Sequence, residues 1–334
     1  MKKRGRGVAC TYFGMGNTAK PNPSSAFLEV CEDGTAIVLC GAAELGQGSD
    51  TALCQIAAEV LGIRPERVTI VSNDTMVAPE AGVTSASRQT YVSGNAIRLA
   101  AEQAKEILLK EAADCMEEDL TDLEAKDDRI FLKRNPEKYL TIEEVCTQLR
   151  RRGALVTGTG TFTPPTPEAL DPETGLGIPY GAYSYATQIA EVEVDTETGE
   201  VTVLNLIAAQ DVGRAINPMA IEGQIEGGVG QGVGYALMEE VVVENGIIQN
   251  PSFSDLLIPT SLDIPPISSI IVEVPEPTGP FGAKGTGEPP ACPTAAAIIN
   301  AIYDAVGVHI TSTPVTAEKV YMALQKKEME KRGK

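Results

Sequence analysis

One carboxylate, Glu288, closes the run "GPFGAKGTGEPP" at residues 279–290. Glycines at 279, 282, 285 and 287 let backbone approach a ligand closely, while Pro289 and Pro290 bias Glu288 away from helix. A carboxylate held on such a turn is either a solvated surface residue or a positioned general base. On these residues alone the solvated surface turn is the better reading. The single histidine, His309, follows a helix-like stretch, and one histidine builds no multi-His metal site. Catalysis by this chain must therefore draw on carboxylates or on a bound cofactor.

Three further stretches could meet a ligand. In "GAAELGQGSDT", 41–51, a strand end runs through Gln47 and Gly48 into a helix start. Free N–H groups there, at the positive end of a helix dipole, suit a phosphate or another electron-rich group. A helix capped by Ser49 or Asp50 explains the same residues, and the stretch lacks the GK[ST] of a P-loop. "APEAGVTSASRQTYVSGNA", 78–96, gathers Thr84, Ser85, Ser87, Arg88, Gln89, Thr90, Ser93 and Asn95 before a helix. That density of donors fits a phosphate or a heteroaromatic ring, and equally a polar capping loop. In "INPMAIEGQIEGGVGQGVGYALMEE", 216–240, Asn217 caps a helix that opens at Pro218 and carries glycines at 223, 227, 230 and 234. Each helical glycine costs up to about 1 kcal/mol relative to alanine, which close packing must offset. The close neighbour is another element of the protein or a cofactor, with Gln224 and Gln231 as the polar groups able to face a ligand.

The elements that would position these residues read as an α+β fold with mixed β-sheets and packed helices. Residues 26–40 and 188–207 alternate apolar and polar positions on either side of a turn, as hairpins do. Helical spacing covers 51–61, with Gly62 at its end, then 93–113, 293–306 and 316–330. On 93–113, Ile97, Ala101, Ala104 and Leu108 share one face, and Glu106 stands four residues before Lys110. The middle, 114–186, is charged and then rich in Pro, Thr and Gly, and is expected to hold a small helix and a long loop. A division follows into subdomains 1–160 and 161–334.

At 334 residues the chain has room for about two domains at roughly 150 residues each. With 46 acidic against 27 basic residues the net charge is -19, which opposes contact with a phosphate backbone and argues against nucleic acid as partner. No apolar run has the length of a leader or a membrane span, so a soluble, cytoplasmic protein is expected. Seven cysteines, at 10, 31, 40, 54, 115, 146 and 292, include no CxxC pair, against a disulfide framework, a zinc site or a protein-ligated iron–sulfur cluster.

Taken in order, "ELGQGSDT", "TSASRQT", "AEVEVDTETGEV", "DVGRAINP", "EGQIEGGVGQG" and "GTGEPP" resemble the C-terminal half of the molybdenum-binding region of the xanthine dehydrogenase and aldehyde oxidase family. The match covers nearly the whole chain. The resemblance implies molybdenum held by a pyranopterin dithiolene with no side-chain ligand, the pterin being expected in its cytosine dinucleotide form. It implies Glu288 as the base for hydroxylation by water-derived oxygen, and Gln47 with Gly48 against the pterin. It also implies cofactor contacts from Ser85, Ala86, Ser87, Arg88, Gln89 and Thr90, and from Gln224 and Gln231. Tyr12, Asn17 and Thr18 are pocket candidates by position. Electrons would leave through 2Fe-2S clusters and FAD on partner subunits. The start, "KKRGRGVACTYFGMGNT", is expected to belong to one of two molybdopterin subunits of a split enzyme, partnered by a large molybdopterin subunit, an iron–sulfur subunit and an FAD subunit. A small N-heteroaromatic substrate is expected, nicotinate to 6-hydroxynicotinate first, with xanthine or another purine, or an aldehyde, as the alternative. A noncatalytic subunit that only closes over the cofactor is the other class, and Glu288 discriminates because a lid needs no carboxylate there.

Overall fold

A computed structural model describes residues 1–18, 20–165 and 170–332. The chain runs through β1 (Lys2–Gly14), β2 (Ser24–Val30), β3 (Ala36–Leu39), α1 (Ser49–Leu61), β4 (Val68–Val71) and α2 (Gly94–Met116). It continues with β5 (Leu123–Lys126), β6 (Arg129–Leu132), β7 (Asn135–Thr141), α3 (Ile142–Arg151) and β8 (Val156–Phe162). The second half holds β9 (Tyr183–Asp195), β10 (Val201–Asp211), α4 (Pro218–Leu237), β11 (Val243–Glu244) and β12 (Ile247–Ile248). It ends with α5 (Phe253–Leu256), β13 (Ile267–Val272), α6 (Thr294–Val306) and α7 (Ala317–Arg332). Among the described residues no helix is long and apolar enough to cross a membrane.

Two mixed four-stranded sheets, β4-β3-β2-β8 and β1-β9-β10-β13, each back a separate core. Both expected hairpins form: Val30 pairs with Ala36 across the first turn and Val194 with Val201 across the second. The four helices read from periodicity are present, and Ile97, Ala101, Ala104 and Leu108 are buried as a face while Glu106 and Lys110 pair at 2.5 Å. The helix read from residue 93 continues a single π-helical turn, Gln89–Ser93, so the donor-rich loop feeds directly into α2.

Two expectations are corrected. The charged middle holds a three-stranded sheet, β5-β6-β7, besides its small helix α3. Leu123 and Ala125 alternate with exposed Glu124 and Lys126, and Asp127 and Asp128 turn the chain at positive φ of 52° and 64°. The long loop after β8 is present in part; its residues 166–169 lie outside the described ones. The boundary near 160 is also crossed, because β1 pairs along its whole length with β9 and so belongs to the sheet of the second half.

One device recurs in both halves. A Cβ on Gly158 or Gly160 of β8 would lie 1.9 or 2.0 Å from the carbonyl oxygens of Ala100 and Ala96 in α2. A Cβ on Gly5 or Gly7 of β1 would lie 2.3 or 2.2 Å from those of Ala301 and Ala297 in α6. In each case an alanine-faced helix rests its backbone directly on a glycine-bearing strand.

The start of α1 differs from the expected cap. Gly48, at φ 79°, occupies the N-cap position without a side-chain bond, and Ser49 is already helical. Glu44 reaches back instead: its Oε1 accepts from the N–H groups of Gly46 and Gly48, each at 2.8 Å, and its Oε2 from Asp50 N at 3.0 Å and Ser49 Oγ at 3.1 Å. The chain's own carboxylate fills the place where an external anion was expected. Burial pushes Glu44 upward, but the N–H groups of Asp50, Gly48 and Gly46 outweigh it and leave its pKa below the ordinary 4.5.

Two outcomes are expected. Gly160→Ala forces α2 off β8 and lowers unfolding free energy by about 1–3 kcal/mol, the usual cost of overpacking; an unchanged denaturation midpoint would show that the helix moves freely. Because Glu44 is depressed when folded, its contribution is present above pH 4.5 and lost as pH falls through the lower folded value. The melting-temperature gap between wild type and Glu44→Gln should be widest near neutral pH and close in acid; a gap constant with pH would refute the assignment.

Candidate functional site

A cavity of about 250 Å³ opens between the two halves, walled by residues from four stretches: 45–52, 84–90, 214–224 and 284–288. Gln47, Gly48, Ser85, Ser87, Arg88, Gln89, Thr90, Gln224 and Glu288 all line it. The fold thus brings most of the sequence-derived candidates to one place, although they are spread over some 240 residues of chain.

Glu288 is fixed from both sides. Ser87 Oγ accepts from the backbone N–H of Glu288 at 2.9 Å and donates to the Oε2 of the same residue. Ala86 and Ser87 achieve this in the left-handed region, at φ 53° and 51°. The Ser87 carbonyl is pressed so close to Gly285 that a Cβ there would come within 1.6 Å of it, so residue 285 must be glycine. Behind Glu288, Gln188 Nε2 donates to Pro290 O at 2.6 Å, and Gln188 Oε1 accepts from Thr294 Oγ1 at 2.7 Å. A Cβ on Gly228 or Gly232 of α4 would lie 2.7 Å from Pro290 and 2.4 Å from Thr294 respectively. The close-packed glycines of α4 are therefore Gly228, Gly232 and Gly234, of which the first two seat the segment after Glu288. Of the row marked in the sequence, Gly234 is packed by Glu239 and Pro259, Gly230 touches Ile264 at ordinary distance, and Gly223 and Gly227 face open space.

Several lining side chains are spent on their own loops. Arg88 is 1% exposed, and its terminal nitrogens donate to the carbonyls of Ala81, Val83, Asn22 and Pro23. In this arrangement Arg88 orders the loop. Gln47 accepts from Leu45 N at 2.6 Å and donates to Ala43 O and Ser49 Oγ. Gln89 bridges Thr84 and Ser93. Ser85, Thr90, Arg214 and Gln224 contrast with these: among the described residues their side chains make no hydrogen bond or ion pair, and they line the cavity.

The remaining candidates fall elsewhere. Ala86 supports the loop through its carbonyl, which accepts from Gly16 N at 2.9 Å. Gln231 is exposed on α4 beyond the cavity and donates to the Tyr235 hydroxyl. Tyr12 is 72% exposed on β1. Asn17 lines a separate small cavity beside Tyr180, and Thr18 Oγ1 shares a hydrogen bond with the Tyr180 hydroxyl. None of these five lines the main cavity.

Three charges at the site were missed. Lys284 lines the cavity while its Nζ pairs with Asp211 Oδ2 at 2.6 Å, both side chains nearly buried. A buried pair of this kind adds little net stability, but loss of one partner strands the other charge. Arg214 is the third. Lys284 is the lone charge amid the glycines of "GAKGTG", and Arg214 follows Gly213 in "DVGRAINP", which was the signal available.

The donor set fits a polar, flat cofactor carrying oxyanion groups. Hydroxyls of Ser85 and Thr90, the Gln224 amide and the Arg214 guanidinium are uncommitted, and glycines at 48 and 287 expose backbone to the cavity.

A family model described as the molybdopterin cofactor-binding domain matches residues 1–265. The xanthine dehydrogenase molybdenum-binding subunit of Escherichia coli O157:H7 is 33% identical over 96% of this chain and 42% of its own length. The aldehyde oxidoreductase of Megalodesulfovibrio gigas is 35% identical over 97% of this chain and 32% of its own. The crystal structure of quinoline 2-oxidoreductase from Pseudomonas putida 86 superimposes with a TM-score of 0.86 at 29% identity, covering 97% of this chain and 42% of that one. The chain thus spans less than half the length of these relatives. On this sequence match, this fold and this cavity, the chain belongs to the molybdopterin cofactor-binding family of the molybdenum hydroxylases.

Proposed function

We propose that this chain supplies the base-bearing wall of a molybdenum hydroxylase site, with Glu288 as general base. The observation that carries it is the Ser87–Glu288 clasp, a carboxylate held at the wall of a cavity beside uncommitted donors. A lid that merely covered a cofactor would have no use for a carboxylate so fixed.

Ser85, Thr90, Arg214 and Gln224 would hold the cofactor. When bound, the molybdenum–pterin group would supply the two-electron oxidation and the activation of water. Ring C–H and water then become C–OH, releasing two electrons and two protons. Glu288 accepts one of those protons. Its Oε2 is engaged by Ser87, which leaves Oε1 as the accepting atom. The turn's glycines keep side chains out of the way, and Pro289 and Pro290, both buried, restrict the backbone that carries Glu288.

The substrate we propose is an N-heteroaromatic ring, nicotinate first and a purine second. Two relatives are named for the nitrogen heteroaromatics quinoline and xanthine. An aldehyde is the second reading, supported by the relative named an aldehyde oxidoreductase. We further propose the cytosine dinucleotide form of the pterin, 2Fe-2S clusters and FAD on partner subunits, and a cytoplasmic location. The relatives named as a subunit of a 6-hydroxypseudooxynicotine dehydrogenase complex and as a large chain of carbon monoxide dehydrogenase support a multi-subunit assembly.

In the assembled enzyme, Glu288→Gln should retain its molybdenum and lose turnover by about 10²–10⁴-fold, with a smaller change in KM. Near-normal turnover in a fully metallated variant would place the base on another chain. Ser87→Ala should keep its molybdenum too and lose about tenfold in kcat, the worth of one hydrogen bond to a charged group. An equal loss of metal would instead make Ser87 a cofactor contact.

A further inference from the structure

We propose that the buried ion pair between Lys284 and Asp211 is a positioning pair for Glu288, setting where its carboxylate stands at the cavity wall during the hydroxylation. The inference rests on the reading of Glu288 as general base. Glu288 ends the turn 284–288, whose two glycines, Gly285 and Gly287, give it little stiffness of its own. Where the carboxylate comes to rest is therefore set by what holds the turn at each end. Ser87 holds the far end, and Lys284 is the near one.

Backbone and side chain together tie Lys284 to the end of β10. Its N–H donates to Val212 O at 2.9 Å, and its Nζ to Asp211 Oδ2 at 2.6 Å. Asp211 is itself fixed, because its Oδ1 accepts from Gly213 N at 3.0 Å and its carbonyl from Ser184 Oγ at 2.7 Å and Gln210 Nε2 at 3.1 Å. Ser184, Gln210, Asp211 and Lys284 are all buried. A Cβ on Gly213 would lie 2.2 Å from Gly282 O, so the two segments meet backbone to backbone just before the turn.

Stability does not account for two charges in this place. Apolar side chains of similar volume would serve a buried contact as well or better, because neither ion would have to leave water. What they lack is direction. An ammonium bonded to one carboxylate oxygen fixes residue 284 against residue 211 within the narrow range of a hydrogen bond, and reacting groups keep their place through supporting bonds of this kind. Lys284 lies at the cavity wall, four residues before Glu288. A shift of about 1 Å at a reacting group can slow a reaction by about 10²-fold, so a tether here matters beyond its own energy.

The test uses the molybdenum enzyme purified from its native host, with turnover per molybdenum followed on whichever of nicotinate, xanthine and benzaldehyde the wild type oxidises fastest. Lys284→Met should lose about 10- to 100-fold in kcat with a smaller change in KM. Glu288, freed from its place, should react at least about threefold faster with a water-soluble carbodiimide and glycine ethyl ester, read by mass spectrometry. In a Glu288→Gln background the same substitution should cost less than about twofold, since its effect passes through the carboxylate already removed. Asp211→Asn combined with Lys284→Met strands no charge and leaves an acceptor for Gly213 N. Its thermal transition should regain at least about half of the fall seen in Lys284→Met, while kcat stays low and Glu288 stays reactive.

Recovery of kcat together with the thermal transition reduces the pair to a fold contact and overturns the proposal. Unchanged labelling of Glu288 does the same, as do losses that multiply when Lys284→Met is combined with Glu288→Gln; both leave the base reading standing where Glu288→Gln is slow. Near-normal turnover of a fully metallated Glu288→Gln enzyme overturns the base reading and the positioning pair together. Should Lys284→Met not accumulate, the doubly substituted enzyme decides by its kcat and its Glu288 labelling.

Discussion

The contact between Ser87 and the Glu288 turn is the constraint on which the site depends. Two consecutive left-handed residues aim the Ser87 hydroxyl at Glu288 and its carbonyl at Gly285. Left-handed backbone at a non-glycine costs of order 1 kcal/mol or more per residue and persists only where its surroundings over-determine it. The surroundings do so here. Arg88, next in sequence, ties the loop to four carbonyls, and the π-helical turn anchors it to α2. On the opposite side, Gln188 and the glycines of α4 hold Pro290 and Thr294. The two halves thus present two rigid jaws, and the cavity is the space they leave.

Much of this was legible in the sequence, for identifiable reasons. Hairpins and helices were readable where apolar spacing is regular, as in Ala190, Val192 and Val194, or in the buried stripe of α2. The sheet β5-β6-β7 was hidden because its exposed positions carry so many charges that the alternation of Leu123, Ala125, Ile130 and Leu132 was masked. The placement of β1 could not be read, since pairing with β9 is set by partners far apart in sequence. At the site, residue types singled out the right loops but not what each side chain does there. Arg88 and Gln47 look like ligand contacts by type and in this structure spend their donors on backbone. Glu44, which its residue type did not single out, is the true cap of α1.

The two cores solve the same packing problem in the same way. An alanine face lets a helix lie on a strand so closely that only glycine fits beneath, as for α2 on β8 and α6 on β1. Such close backbone contact leaves little room for relative sliding. It also bears directly on the site, because α2 begins where the Ser87 loop ends and α6 begins six residues after Glu288. Each jaw is therefore an extension of a helix that its own sheet holds still.

The pairing of β1 with β9 has a consequence for biosynthesis. Strand β1 leaves the ribosome about 170 residues before β9. At roughly 5–20 residues per second it waits some 10–30 s without its partner, a long exposure for a strand with apolar and aromatic residues. Its opening residues, Lys2, Lys3, Arg4 and Arg6, repel a second nascent copy of the same strand. Their counter-charges, Glu191 and Glu193, arrive only with β9. The same cations that later lock the register therefore act first as a guard against premature pairing between neighbouring chains on one messenger.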